Sequence, residues 1–333
     1  MQMKNGLTIY DISKLSGVSI ATVSRVLNGN PNVNDETRER VNRIINKHGY
    51  VPKQSVRNFR EQELVAVGLL MDDIRNPFMA SFAFFISREF SRLKINTVLC
   101  NIHDVESEFA EQVDNLIDKK VNGIIMMGSI FENQLCRTLL EGRYSGMPFV
   151  SINGNFSLPN VCEVILDQRT AVDDAVHYLF THGRRRIGMI YKNQSRSDKH
   201  KFAGFLDGME ACALDDVRRI EVVEKSIESG KQATLEMLSH WSNTDAIIYS
   251  SDTLAVGGAH ILNRKHIAIP EQIMLIGFNN SASACDCYPQ LSSIDNNINE
   301  AGKAAAQLML QMINREDVED VLVPGNLVIR EST

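Results

Sequence analysis

Two sets of residues in this chain are spaced to do chemistry, and both suit recognition rather than bond making. The first is Ile20, Ala21, Ser24, Arg25 and Asn28, which recur at helical spacing over IATVSRVLN and share one helix face. Such a face fits the major groove of B-DNA, where the Arg25 guanidinium can donate two hydrogen bonds to guanine O6 and N7. The second set is Asp73, Phe78, Ser251, Asp252 and Asn279, with Asn280 beside it, near the ends of apolar runs, and Asp167 ahead of a helical stretch. Polar groups with one aromatic platform suit a small hydroxyl-rich molecule. Singly each is weak, since an Asp at a strand end is as often a helix cap; a shared position at one sheet edge is what points to a ligand.

Catalytic and metal-binding patterns are missing from the sequence. No G-x-G-x-x-G follows the first apolar run, and there is no P-loop and no G-x-S-x-G elbow. The six cysteines (Cys100, Cys136, Cys162, Cys212, Cys285, Cys287) and eight histidines fall outside metal-ligand spacing. Buried free thiols are the ordinary reading. Cys285 and Cys287 leave a redox or metal role open, although residues two apart in a loop tend to point in different directions. His103, His177, His182 and His260 read as surface or cap residues. No cofactor and no enzymatic activity are expected, on the missing sites rather than on the fold.

The first set needs a rigid platform. Thr8 and Asp11 make a capping-box-like start to one helix, Gly17 and Val18 turn the chain, and Ser19 caps a second helix from Ile20. Ile9, Ile12 and Leu15 on the first helix and Val23, Val26 and Leu27 on the second provide a shared core. Asn28-Gly29 and Pro31 stop the second helix. Asn34 caps a third over DETRERVNRIINKHG, with Val41, Ile44 and Ile45 inward, and Gly49 ends it. This is a helix-turn-helix with a supporting helix. Tyr10, Ser19, Thr22 and Asn32 complete its candidate DNA contacts.

The net charge of −6 argues against a nucleic-acid partner until it is divided. Residues 1–60 carry ten Lys/Arg against four acids, a surplus of +6, which leaves −12 on the remainder. A basic head on an acidic body fits one phosphate-binding end and a body that DNA repels.

The second set needs strand ends. Continuous apolar runs recur at LVAVGLLM, INTVLC, GIIMM, MPFVSI, RIGMIY, AIIYSS and IMLIGF. Between most of them lie helical stretches such as PFMASFAFFISREFSRL, FAEQVDNLIDKK, AVDDAVHYLFTHG and TLAVGGAHILNRK. Strand alternating with helix predicts parallel sheets covered on both faces, and 333 residues leave room for two. With 44% hydrophobic and 23% charged residues, no membrane-length apolar run and no apolar leader, a soluble cytoplasmic protein is expected.

The run GVSIATVSRVLNGNPNVNDETRERV, followed by Tyr50-Val51-Pro52, resembles the DNA-binding headpiece of the LacI/GalR family of bacterial transcription regulators. The likeness continues through Asp73-Ile74-Arg75-Asn76-Pro77-Phe78, Val121-Asn122-Gly123, His182-Gly183-Arg184-Arg185-Arg186, Ser251-Asp252-Thr253 and Pro289-Gln290-Leu291-Ser292-Ser293, covering essentially the whole chain. It implies an α/β fold, with an N-terminal helix-turn-helix headpiece and a periplasmic-binding-protein-like core of two doubly wound parallel-sheet subdomains. The DNA-binding domain would occupy 1–49, the hinge 50–60, and an effector-binding and dimerisation core 61–333. Within the core, the N-subdomain would take about 61–161 and 293–320 and the C-subdomain about 162–292 and 321–333, with crossings near 162, 292 and 321.

The resemblance also implies that paired hinges order on DNA and enter the minor groove. Lys53 and Val56 stand where the family usually has Asn and Ala, Arg57 keeps the common residue, and Phe59 replaces a wedging leucine. An apolar wedge can be aromatic; a plain linker whose Phe59 packs on the body is the alternative. In the pocket, Lys201 stands where the family commonly has arginine, Asn279 where it has aspartate, and Lys225 at an often aromatic position. That implies a more cationic pocket and an effector with anionic character, a sugar acid or sugar phosphate, unless Lys225 points into solvent.

The expected function is a repressor that binds near-palindromic double-stranded operator DNA as a homodimer, under control of a sugar or sugar-derivative effector. The absence of a trailing leucine heptad favours a dimer over a tetramer, and no membrane partner is expected. The alternative is a sugar-binding module whose head docks a protein partner.

Overall fold

A computed structural model describes residues 9–27, 33–48 and 65–333. The chain divides into two compact units, Met1–Leu64 and Val65–Thr333.

Among the described residues of the first unit, the helices are α1 (Ile9–Ser16), α2 (Ile20–Leu27) and α3 (Asp35–His48). Gly17 turns the chain between α1 and α2 with φ +68°, a left-handed conformation that a side chain would strain. The Ser19 hydroxyl accepts from the Thr22 N–H at 3.2 Å and the Asn34 side-chain oxygen from the Thr37 N–H at 2.9 Å, so both predicted caps form. Ile12, Val23, Val26, Val33 and Val41 are buried together, with Val18, Ile44 and Ile45 packed against them. Leu15 departs from expectation and is 52% exposed. The inward stripe of α1 runs through Ile12 and Ser16 instead, and the buried Ser16 hydroxyl satisfies itself on the Ile12 carbonyl at 2.6 Å. Thr8, the stop at Asn28-Gly29 and Pro31, Asn32, Gly49 and the whole hinge with Lys53, Val56, Arg57 and Phe59 lie outside the described residues.

The second unit holds two six-stranded sheets. The first contains β1 (Ala66–Met71), β2 (Asn96–Asn101), β3 (Gly123–Met127), β4 (Phe149–Ile152), β5 (Val161–Asp167) and β11 (Val321–Pro324), in the order β11-β5-β4-β3-β1-β2 and parallel throughout. The second contains β6 (Ile187–Tyr191), β7 (Arg218–Glu221), β8 (Ala246–Tyr249), β9 (Met274–Phe278), β10 (Ser292–Asp295) and β12 (Asn326–Val328), in the order β12-β10-β9-β8-β6-β7. Only the short β12 runs antiparallel to its neighbour among these pairs. Both orders reverse direction at the same place, between β1 and β3 and between β6 and β8, which is where open α/β sheets bind ligands.

Helices cover both faces of each sheet. On the first, α4 (Pro77–Arg92) packs with α12 (Ile298–Ile313) on one side, and α5 (Val105–Asp118) and α6 (Gln134–Glu141) lie on the other. On the second, α7 (Gln168–Thr181) packs with α8 (Arg196–Ala211), and α9 (Ile227–His240) with α10 (Asp252–Arg264); a short α11 (Ala282–Asp286) follows β9. Gly257 belongs to a helix crossing rather than a binding loop, since a Cβ there would stand 2.2 Å from the Ile227 carbonyl oxygen.

The crossings between subdomains fall later than expected. β5 pairs with β4 and β11 in the first sheet, so the chain leaves that sheet after Asp167, not at 162. Its Cys162, Val164 and Leu166 are buried in the first core, and that burial holds the strand there. The second crossing lies between β10 and α12, where Asn297 has φ +51°, and the third at Gly325 between β11 and β12. Of the cysteines, Cys136, Cys162 and Cys212 are buried as expected, Cys100 and Cys287 are half-buried, and Cys285 is exposed.

Candidate DNA-reading helix and effector cleft

α2 sets its buried face with Val23 and Val26, which turns Ile20 and Arg25 outward. Ile20 is 40% exposed, an apolar group of the kind that meets thymine methyls. Arg25 is exposed near the helix end. The Ser19 and Thr22 hydroxyls lie 2.9 Å apart and partner each other, so they shape the helix start as well as border its outer face. Tyr10, Ala21 and Ser24 lie on α1 and α2 as predicted. Asn28, Asn32, Lys53, Arg57 and Phe59 belong to the segments left undescribed.

The predicted effector residues divide between the carboxyl ends of the two sheets, and most prove to be engaged already. Asp73, beyond β1, is gripped by Arg75 through two side-chain hydrogen bonds of 2.9 Å, and that guanidinium holds its carboxyl below the ordinary range. Phe78 packs on the first core with its ring 5.9 Å from Phe82. Asp167 caps α7 by accepting from the Thr170 N–H at 3.2 Å, the plainer of its two readings. Ser251 likewise caps α10.

Asp252 is a staple. One of its oxygens accepts from the Ser281 N–H at 2.6 Å and the Ser281 hydroxyl at 2.8 Å, and the other from the Ser293 hydroxyl at 2.6 Å. Burial still pushes its carboxyl above the ordinary value, with these bonds pulling the other way. Asn279 has φ +100° and accepts from the Asn296 side-chain amide at 2.9 Å.

Lys201 and Lys225 come together at the ends of β7, β8 and β9, around a residue that sequence reasoning misses. Asp198 is 2% exposed, closes a capping box with Ser195, and forms an ion pair with Lys225. Lys225 therefore neither adds a free positive charge nor points away. Burial alone would raise the Asp198 carboxyl, but the two neighbouring lysines hold it below its ordinary value. The Ser195-x-x-Asp198 spacing was the available signal for this residue. The Lys201 ammonium donates to the Ser250 carbonyl at 3.3 Å and sits 3.9 Å from the centroid of the Phe278 ring. Burial, and then the charge of Lys225, press its pKa down to about 7.

That value makes a stability prediction. Between about 7 and the ordinary 10.5 the unfolded chain holds a proton that the folded chain does not, so folding becomes more favourable as pH rises through that window. Lys201→Met should therefore be more stable than the parent at about pH 6, with the gap narrowing towards about pH 9. Thermal melts of both proteins at the two values check this; a constant gap contradicts it.

Two cavities flank this region. One of about 440 Å³ is lined by Lys192, Asn193, Gln194, Glu221, Val222 and Val223 at the ends of β6 and β7. The other, about 460 Å³, includes Asn279 and Asn280 and reaches Ser81 and Phe85 of α4; the remaining seven predicted effector residues line neither. Direct bonds join the subdomains, including an Arg196–Glu132 ion pair of 3.0 Å. Among the described residues no group of acids, histidines or cysteines could hold a metal ion, and no helix is long and apolar enough to cross a membrane.

A helix-turn-helix unit followed in the chain by a core of two doubly wound sheets is the build of a DNA-binding transcription regulator with a ligand-binding body. Two family models match the chain, "Bacterial regulatory proteins, lacI family" over residues 8–53 and "Periplasmic binding protein-like domain" over 176–333. Catabolite control protein A of Priestia megaterium is 30% identical over 334 residues, covering 98% of this chain and 99% of the relative. The chain belongs to the LacI/GalR family of bacterial transcription regulators. Its fold matches the lac repressor bound to ONPG in the repressed state with TM-score 0.83 at 21% identity, covering 99% of this chain and 100% of that one. It also matches the regulator CelR in its cellobiose complex, with TM-score 0.71 at 24% identity over 98% and 100%.

Proposed function

We propose that the protein is a cytoplasmic repressor that binds a near-palindromic operator as a homodimer and responds to a sugar or sugar derivative held between its core subdomains. The observation that carries this is the exposed Arg25 on a helix that is packed on its other side through Val23 and Val26. One recognition helix buries too little surface for tight specific binding, and two joined half-sites raise the effective concentration. Supporting a dimer, Phe84 on α4 and Leu99 on edge strand β2 are 59% and 54% exposed. A self-associating face would bury such groups.

For the effector, CelR is a relative solved with cellobiose, which supports a sugar-sized ligand here. Lys201 supports anionic character, because Lys225 is neutralised by Asp198 and Lys201 has no ion-pair partner of its own among the described residues. We assign the direct contact to Asn279, the one candidate that lines either cavity, with Lys201, Asp73, Phe78, Asp167, Ser251, Asp252 and Lys225 shaping the site around it. A ligand acts on the operator only through unequal affinity for two core states.

Selection of binding sites from random duplex, followed by gel shift with competitor, tests the DNA reading. An enriched palindrome is expected; no preference for any duplex would move the reading to a sugar-binding module with a protein partner. Calorimetry with cellobiose against gluconate and galacturonate tests the effector, and tighter binding of the neutral sugar sinks the anionic reading.

A further inference from the structure

The two core subdomains are tied at the start of α8. Arg196, its first residue, belongs to the second subdomain; Glu132 belongs to the first, just beyond the 3₁₀ turn Ser129–Phe131 that follows β3. The pair is mostly covered, with side chains 33% and 27% exposed, and the second Glu132 oxygen is buried with no hydrogen-bond partner among the described residues. The next residue of α8 continues the tie. The Ser197 hydroxyl donates to Gln168 at 2.6 Å and the Gln168 amide donates to Asn296 at 3.3 Å, so one helix turn reaches the first and second crossings.

We propose that Arg196–Glu132 is a clasp that holds the cleft closed, and that Ser197, Gln168 and Asn296 make the crossing segments follow its state. Arg196 and Glu132 are positioning residues, and their effect on the operator rests on the reading of a cleft-bound effector. The argument turns on what each partner leaves behind. An exposed pair would be worth little. Here, loss of Arg196 strands a carboxylate that is already short of partners, close to the buried Glu163, whose own second oxygen has none among the described residues. Opening the cleft is the way that charge regains water. Loss of Glu132 strands an arginine instead, and its long stem can carry the charge to solvent. Removal of Arg196 should therefore open the cleft more than removal of Glu132, and removing both charges should close it again in part.

Hydrogen exchange on the full-length protein without ligand or DNA, with small-angle scattering alongside, reads this directly. Arg196→Met should quicken exchange roughly tenfold or more at residues 167–169, 295–298 and 324–326 and enlarge the radius of gyration. Glu132→Gln should do less, Glu132→Gln/Arg196→Met less than Arg196→Met alone, and the swap Glu132→Arg/Arg196→Glu should return towards the parent. Parental exchange in Arg196→Met, or a swap that opens the cleft as far as the single change, overturns the clasp. If Arg196→Met fails to fold, Glu132→Gln and the swap carry the same comparison. Failure to find an operator leaves this result standing, and failure here leaves operator binding standing.

Discussion

Arg25→Ala is expected to collapse operator discrimination in a protein that stays folded. The side chain is exposed, while the packing of α2 on the headpiece core runs through Val23 and Val26, so the change removes no buried group. Alanine also has the higher helix propensity. A two-bond grip on guanine is worth about 1–3 kcal/mol. Two half-sites of a dimer double this to about 2–6 kcal/mol, roughly thirtyfold in affinity at the lower bound. The base preference at that position should relax at the same time. Arg40→Ala, exposed and on α3 rather than on the candidate reading helix, is the control. If Arg40 neutralises a phosphate, its removal would weaken all duplexes alike and lower the salt slope by about 1. Competition gel shifts with the guanine replaced decide between them: an Arg25→Ala protein that still discriminates sinks the assignment.

The sequence shows the scaffold more readily than the duties of the residues on it. GIIMM and MLIGF announce themselves because a parallel sheet covered on both faces admits no polar alternation, and every residue of β3 and β9 is buried. α8 and α9 are quieter. Gly204, Gly208 and Gly230 sit where helices touch, a Cβ at Gly204 falling 2.0 Å from the Arg169 carbonyl oxygen, so small residues replace the apolar stripe that would have marked them. The site shows the same limit. Position was legible for Ser251 and Asp252 beyond a strand and for Asp167 ahead of a helix, but whether an oxygen there faces a ligand or a neighbouring N–H depends on segments far along the chain. For Asp252 those segments are at Ser281 and Ser293. Lys225 shows why a charge count along the sequence overstated the cation: its partner, Asp198, lies 27 residues earlier, at the start of another helix.

Asp252→Ala is expected to act first on stability. The carboxylate joins α10 to the Ser281 loop after β9 and to β10, and is 2% exposed. Deleting it leaves the Ser281 N–H and the buried Ser293 hydroxyl short of an acceptor, while the Ser281 hydroxyl keeps Ser283, a loss of about 2–5 kcal/mol. Asp252→Asn separates the bonds from the charge. Because burial raises this carboxyl's pKa, its contribution to folding is complete below the ordinary 3.8 and fades as pH rises through the folded value, so the ionised form is the costly one at neutral pH. An amide keeps the shape and one acceptor without that cost and should lose less than the alanine. Denaturant unfolding of both variants measures the difference. If Asp252→Ala unfolded at the parental midpoint and lost only ligand affinity, its oxygens would have to be free for a ligand, against the bonds that occupy them. The functional consequence follows from β10: the second crossing leaves the sheet at Asp295, two residues beyond the Ser293 that Asp252 holds, so loosening this staple should also blunt the coupling between the cleft and the operator.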